Sequence, residues 1–387
     1  MIKFVSRHNI IYLVQFIFWS VLRTIEKSII SELFKFNNSS LFTLLMFIGE
    51  FLSGLIIYRY QKSFLNKKTN STFMGIKLIR NKKIFNQLDS SYKIYLLIFF
   101  SSLFDFIEFI LTTSYLAKFY NISDSLELRL SGIVTISAAL FFYFLLKLRI
   151  FKHQIFSLLI IGSCLILIIF SEYFFQEINI FLSYGKFTGS LLIIFFTHFF
   201  HSLLDSIEKY LFEYNYSDPF TTLMWEGIFG IIITLIYCSK YNYFKDLVDY
   251  YNNESISRFI GLIFLLILYI ILCGGRNIFR VVINKIYSPM VKISTDYLLN
   301  PVYYIIDYAR GKDFFYGGKP NIVYFIINLI LSFIISLCGC IYCEFIILFC
   351  CKLEYNTHYE ISKRAEILMQ DIDNESITND SNYLIVI

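Results

Sequence analysis

His198, His201, Asp205 and Glu208 follow one another at intervals of three, four and three within a stretch that is otherwise apolar. On an α-helix those intervals put all four side chains on one face. Imidazole and carboxylate groups side by side can relay protons, contact a polar solute, or pair with neighbouring helices. His198, His201 and Asp205 also have the ligand chemistry for a divalent cation, so a metal site is an alternative use of the stripe. In hydrocarbon each of these groups is costly to bury, and an ionisable residue there ordinarily has a partner or a function.

The stripe ends in Ile207-Glu208-Lys209, and a polar turn at Ser217-Asp218-Pro219 leads into a segment that holds Glu226. A fainter copy lies about 180 positions upstream, where Ile25-Glu26-Lys27 answers the first motif and Phe42-Thr43 leading to Glu50 answers Phe220-Thr221 leading to Glu226. Superposing the two Ile-Glu-Lys motifs sets Arg23 against Asp205. The expectation is a symmetry-related pair, Arg23 with Asp205, that makes and breaks between two states. An internal repeat with buried charge at matching places is the outline of a membrane carrier.

The elements that must position these residues are transmembrane helices. With 57% hydrophobic and 16% charged residues, 44 Phe and 30 Tyr, the 387-residue chain is too apolar to be a soluble protein. A span needs about 20 mostly apolar residues. Ten candidates meet that length, roughly 10–30, 41–60, 94–116, 126–147, 154–175, 187–211, 220–239, 257–281, 287–308 and 321–350. The fold class expected is therefore an all-α polytopic membrane protein of ten transmembrane helices. If they form two copies, residues 1–176 and 177–351, an odd number of spans per copy forces the copies to be inverted five-helix repeats. Nothing in the chain has the form of a nucleophile with its base or of a phosphate-cradling glycine loop, so neither an enzyme, a soluble cofactor nor a nucleic-acid partner is expected.

Net charge is only +5, yet basic residues crowd the connection 61–93, which the positive-inside rule places in the cytosol together with both termini. That connection reads as a mobile cytosolic loop, and 352–387 as a disordered cytosolic tail. Cys340, Cys343, Cys350 and Cys351 fall on one stripe of the last span; small packing residues are one reading, and reversible acylation of Cys350 and Cys351 at the cytosolic boundary is another.

Other segments carry further polar positions. The first helix holds Arg23, Glu26 and Lys27, the third Asp105 and Glu108, and the fourth opens with Glu127 and Arg129. The eighth interrupts its apolar run with Gly274-Gly275-Arg276-Asn277, a place where a helix can bend. The ninth holds Lys292, Asp296 and Asp307, with Pro301 set to kink it. Asn-X-Ser/Thr triplets at Asn38, Asn121 and Asn253 fall in the expected non-cytosolic links.

The run Glu208-Lys209, Tyr214-Asn215, Pro219 and Glu226-Gly227-Ile228-Phe229-Gly230 resembles the sixth-to-seventh helix turn of the drug/metabolite transporter superfamily, in particular the nucleotide-sugar-transporter-like group F of solute carrier family 35. Residues 41–51 resemble that group's second helix, and Asp105 followed by Leu128-Arg129, Lys147 and Arg149 resembles its third and fourth. The resemblance implies ten helices in two inverted repeats, a central solute cavity and an endomembrane location such as Golgi, lysosome or vacuole.

Together these readings make the chain a secondary transporter of a small polar organic solute, with a nucleotide sugar or related metabolite as one case, working by alternating access. Glu26, Glu50, Asp105, Arg129, His201, Asp205, Glu208, Glu226, Asn277, Lys292 and Asp296 are expected around the cavity. Carboxylates and histidines there exchange protons or hold counter-charge, while Arg129 and Lys292 meet anionic parts of the solute. The partners expected are membrane lipid, the solute and coupled protons, with a homodimer left open. The alternatives are a divalent-cation carrier and a non-transporting scaffold that recruits a partner through its tail.

Overall fold

The computed structural model describes residues 7–36, 38–67, 70–73, 76–79, 92–112, 124–175, 184–241, 245–309, 315–316, 319–349, 352–357 and 360–364. Its helices are α1 (Arg7–Leu33), α2 (Ser39–Lys67), α3 (Tyr92–Ile110), α4 (Asp124–Arg129), α5 (Gly132–Phe144), α6 (Lys152–Phe175), α7 (Tyr184–Glu213), α8 (Pro219–Tyr241), α9 (Lys245–Asn253), α10 (Ile256–Ile286), α11 (Pro289–Ala309) and α12 (Ile322–Tyr342). Two short antiparallel hairpins join Asn70–Phe73 to Ile76–Ile79 and Phe315–Tyr316 to Lys319–Pro320. Among the described residues, six helices are long and apolar enough to cross a membrane: α6, α10, α12 and the main parts of α2, α7 and α8. The predominantly helical fold is that of a polytopic membrane protein. Of the other helices, α3 and α11 carry more charge and α5 is shorter. Lys93, Asp105 and Glu108 lie in α3, Lys292, Asp296 and Asp307 lie in α11, and α5 has 13 residues.

Helix α10 shows how the residues are sorted. Ile256, Ile260, Phe264, Ile267 and Ile271 recur at intervals of three and four and are all more than half exposed, an outward apolar stripe suited to lipid tails. The opposite stripe, Leu266, Tyr269, Cys273, Asn277, Arg280 and Asn284, is buried and becomes polar towards its C-terminal end. Polar residues face the bundle and apolar ones face out, the arrangement hydrocarbon imposes.

Glycines bring α2, α8 and α10 to backbone contact. A Cβ on Gly54 would lie 2.7 Å from the Met224 nitrogen, on Gly227 2.4 Å from the Phe51 nitrogen, and on Gly230 2.1 Å from the Phe47 ring. As the α2 number falls from 54 to 51 to 47 its neighbour on α8 rises, so the two helices run antiparallel. On the other side of α2, a Cβ on Gly49 would lie 2.6 Å from the Ile270 carbonyl oxygen of α10. Close approach of this kind maximises dispersion where lipid removes any hydrophobic gain from helix association. Elsewhere α1 packs along α10, α3 along α7, and α6 along α12.

The turns before α2 and α8 are built alike. Each follows a helix that ends near a left-handed residue, Lys35 (φ 49°) and Tyr216 (φ 52°). In each, a side chain then caps the next helix. Asn38 Oδ1 accepts from the Leu41 amide at 2.9 Å, and Asp218 Oδ2 accepts from the Thr221 amide at 2.9 Å. Asn38 is therefore a buried cap, and its triplet is no glycan site. Asn253 ends α9 and is exposed, and Asn121 lies outside the described residues.

Other expectations are corrected. Gly274-Gly275 does not break α10, which is continuous over 31 residues; the two glycines instead admit Ser53 and the Trp19 ring. The segment expected as a fourth span is interrupted at Leu130-Ser131, between α4 and α5. Two side chains of α11 hold that break: Asn300 Nδ2 donates to the Leu128 carbonyl at 3.2 Å and to Ser131 Oγ at 3.0 Å, and the Tyr297 hydroxyl to the Ser131 carbonyl at 2.8 Å. Pro301 lies inside α11 and cannot donate to the Tyr297 carbonyl, which accepts from Ser336 Oγ of α12 at 2.8 Å. The cysteine stripe does not form, because α12 ends at Tyr342. The connection after α2 contains the first hairpin; its remaining residues, Cys350, Cys351 and the tail beyond 364 lie outside the described residues.

Gly227→Ala is expected to lower the melting temperature of the purified protein, with overpacking at the α2–α8 contact costing about 1–3 kcal/mol. Gly162→Ala, whose Cβ would meet nothing nearer than 3.9 Å, is expected to leave it unchanged in the same differential scanning measurement.

Candidate functional site

Arg280 stands where four helices meet. Its Nη2 lies 3.1 Å from Glu226 Oε2, 3.3 Å from Glu208 Oε1 and 3.5 Å from Glu50 Oε1, and the side chains of all four residues are at most 5% exposed. The glycine contacts explain the meeting, since Gly49 precedes Glu50 and Gly227 follows Glu226. Neutral donors complete the shell. Asn277 Nδ2 donates to Glu50 Oε1 at 2.8 Å, Ser101 Oγ to Glu226 Oε1 at 2.7 Å, and Asn284 Nδ2 to Glu208 Oε2. Three carboxylates thus share one guanidinium, and Glu50 Oε2 is left without a hydrogen bond.

A second group forms one helical turn away on α7. Lys292 Nζ of α11 donates to Asp205 at 2.9 Å and 3.0 Å and to His201 Nε2 at 3.0 Å. With Nε2 accepting, the His201 proton sits on Nδ1, which lies 2.9 Å from both oxygens of Glu108. The result is a continuous chain, Glu108–His201–Lys292–Asp205, in which Lys292 and Asp205 are fully buried and His201 and Glu108 about one-fifth exposed.

Asp105, Arg276 and Asp296 lie between the two groups. Asp105 is within electrostatic range of Arg280, Glu108, His201 and Arg276, and Asp296 of Arg276, Lys292 and His201. All three are only partly buried. Neither aspartate makes a hydrogen bond or ion pair among the described residues. Arg276 has a 3.4 Å bond to Asn277 Oδ1 and a contact with the Phe16 ring at 5.5 Å. Among the described residues the carboxylates Glu50, Asp105, Glu108, Asp205, Glu208, Glu226 and Asp296 lie near the cations Arg23, Arg276, Arg280 and Lys292.

Most of the expected cavity residues are therefore brought together, with three corrections. Asp205 pairs with Lys292, not with Arg23; Arg23 lies near Arg276 and Cys273 of α10. Arg129 is committed to a staple away from the two groups. Its Nη2 lies 3.1 Å from Glu172 Oε2 with both side chains fully buried, its Nη1 donates to the Tyr324 hydroxyl at 2.7 Å, and that hydroxyl donates to Glu172. Glu26 is 3% exposed, and neither of its oxygens is hydrogen-bonded among the described residues. For the histidine stripe, His198 Nε2 sits 3.2 Å from the Glu127 carbonyl, while the Lys292 ammonium occupies the space between His201 and Asp205 that a cation would take. Among the described residues no three His, Cys, Asp or Glu side chains are placed to hold a metal ion.

Arg280 and Asn284 are the residues the sequence reading missed. The signal was present, since both continue the Cys273/Asn277 face of α10 at helical spacing. Comparison with known proteins finds no matching family model and no matching curated protein.

Arg129→Met is expected to destabilise the protein by about 3–5 kcal/mol by stranding the Glu172 carboxylate, and Arg129→Met with Glu172→Leu to recover most of that. Thermal unfolding in detergent of the two variants checks it; equal loss in both would contradict a purely paired role.

Proposed function

We propose that the protein is a secondary carrier that moves a small polar organic solute across a membrane by alternating access, with the Arg280 and Lys292 groups flanking the solute site. The observation that carries this reading is the set of charged side chains from α2, α3, α7, α8, α10 and α11 gathered inside an apolar bundle, several of them partly accessible. Taking two charges out of water costs several kcal/mol per ion, and a hydrophobic replacement is often as stable. So dense a group is better explained by use than by stability.

Two inverted five-helix repeats fit the packing, with α1, α2, α3, α5 and α6 matched to α7, α8, α10, α11 and α12. Under that match α2 and α8 are equivalents, and they touch antiparallel. So do α6 and α12, where Glu172 neighbours Tyr324 and Ser171 neighbours Asn328. Exchanging the halves turns the α1–α10 contact into the α7–α3 contact, and α2–α10 into α8–α3, all of which are extensive. The matching caps at Asn38 and Asp218 belong to the same scheme. An inverted pair has two equivalent shapes, one open to each side, which is the basis of alternating access.

The Lys292–Asp205 pair takes the place of the expected Arg23–Asp205 pair as the contact that changes between states, and Glu108–His201 is the natural route for coupled protons. The endomembrane location rests on the family resemblance alone.

The test is uptake by proteoliposomes over a panel of amino acids, amines, nucleotide sugars and divalent metals. Uptake is expected to fall at least tenfold in Glu226→Gln and in Lys292→Met and to persist when residues beyond 364 are deleted. Absence of uptake for every member of the panel would support the scaffold.

A further inference from the structure

We propose that the ion coupled to transport is a proton bound at Nε2 of His201, where it takes the place of Lys292; this deepens the carrier reading above and rests on it. The Lys292 side chain is fully buried, and its ammonium donates three hydrogen bonds, all to α7: to Asp205 Oδ1 at 2.9 Å, to Asp205 Oδ2 at 3.0 Å and to His201 Nε2 at 3.0 Å. Three is the full complement of a lysine, so Lys292 ties α11 to α7 with everything it has. His201 is the member of this group whose type changes charge near neutral pH. Its Nδ1 lies 2.9 Å from both oxygens of Glu108, which leaves Nε2 as the ring atom that takes a second proton.

A proton on Nε2 and the contact from Lys292 exclude one another. Neutral Nε2 accepts; protonated Nε2 donates and has no lone pair left. An imidazolium and an ammonium nitrogen 3.0 Å apart also repel strongly in a buried setting. The new N–H has an acceptor already in place, since Nε2 lies 3.5 Å from Asp205 Oδ2, an oxygen that Lys292 now uses. Of the three bonds that hold Lys292, one is lost and a second is contested. The proton comes from water, neutral imidazole becomes imidazolium, Lys292 keeps its own protons, and Asp205 exchanges one donor for another. Lys292 also has somewhere to go: Asp296 is four residues on, on the same face of α11, and only partly buried. Pairing there would cut the tie to α7.

The charged and titratable groups facing His201 are Glu108 and Asp105 of α3, Lys292 and Asp296 of α11, and His198 and Asp205 of α7 itself. Arg276 of α10 neighbours Asp105 and Asp296, and α5, which also packs along α7, carries no charged residue. Carboxylate oxygens of Glu108 and Asp205 stand within 3.5 Å of the ring against one ammonium, so once Lys292 withdraws the imidazolium lies between two carboxylates. The accessible end of the chain is the proton-binding one. His201 and Glu108 are about one-fifth exposed, whereas Lys292 and Asp205 are fully buried.

The experiment reads the α7–α11 tie directly and transport separately. Nitroxides are attached at Phe196→Cys and Leu298→Cys, outward positions on α7 and α11, in the full chain with its native cysteines changed to serine. Their distance distribution is measured in detergent by pulsed electron paramagnetic resonance at about pH 8 and about pH 5, the range over which imidazole changes charge. With His201 present a second distance population is expected to grow at the lower pH. His201→Asn and His201→Gln are expected to give one distribution at both pH values, and His201→Arg, permanently charged, to show the low-pH distribution at both. In proteoliposomes an inward proton gradient is expected to speed solute uptake about fivefold or more with His201 and not with His201→Gln. Identical distances at the two pH values with His201 present, or a shift that persists in both neutral variants, would overturn the proposal. A His201-dependent shift without uptake of any solute in the panel would keep the exchange of proton for Lys292 and remove the carrier reading, whereas uptake indifferent to the gradient, with unchanged distances, would do the opposite.

Discussion

One guanidinium serving three glutamates is the constraint around which the rest of the molecule is arranged. Arg280 cannot leave Glu50, Glu208 and Glu226 without stranding buried carboxylates, and none of the three can shift far without weakening the hold of the one cation that, among the described residues, pairs with all of them. Such a contact is poor evidence for stability, because desolvation offsets much of the Coulombic gain. Its consequence is geometric: it fixes α2, α7 and α8 against α10 at one depth.

The glycines make that depth attainable. Without Gly49, Gly54, Gly227 and Gly230 the backbones of α2, α8 and α10 would stand a side chain further apart, and the arginine would not reach all its partners. The Arg129–Glu172–Tyr324 staple plays the matching role elsewhere, tying the end of α4 to α6 and α12. Beside the Arg280 and Lys292 groups, Asp105, Asp296 and Arg276 are only partly buried.

Much of this was legible in the sequence, and the remainder failed for definable reasons. Spans are readable because hydrocarbon obliges each helix to present an apolar face and satisfy its own backbone, and the α7 stripe because its spacing is local. Partners are not local. Arg280 meets Glu50 across 230 residues of chain, and superposing two repeats says which positions correspond, not which side chains touch; hence Asp205 is bound by Lys292 and not by Arg23. The break after Arg129 is held from α11 by Asn300 and Tyr297, far along the chain. The converse error, at Gly274-Gly275, arises because the same residues serve either to bend a helix or to admit a neighbour, and only the presence of Trp19 and Ser53 decides between them.

The central claim is that the charged interior opens to each side of the membrane in turn. It is tested most directly by placing a single cysteine at position 201 in a chain whose eight native cysteines are serine. The reagent is a membrane-impermeant thiol reagent, applied to sealed vesicles from either face. The account predicts modification from both faces, with the solute shifting the balance between them. Modification from one face only, or only by a lipid-soluble reagent, would contradict it.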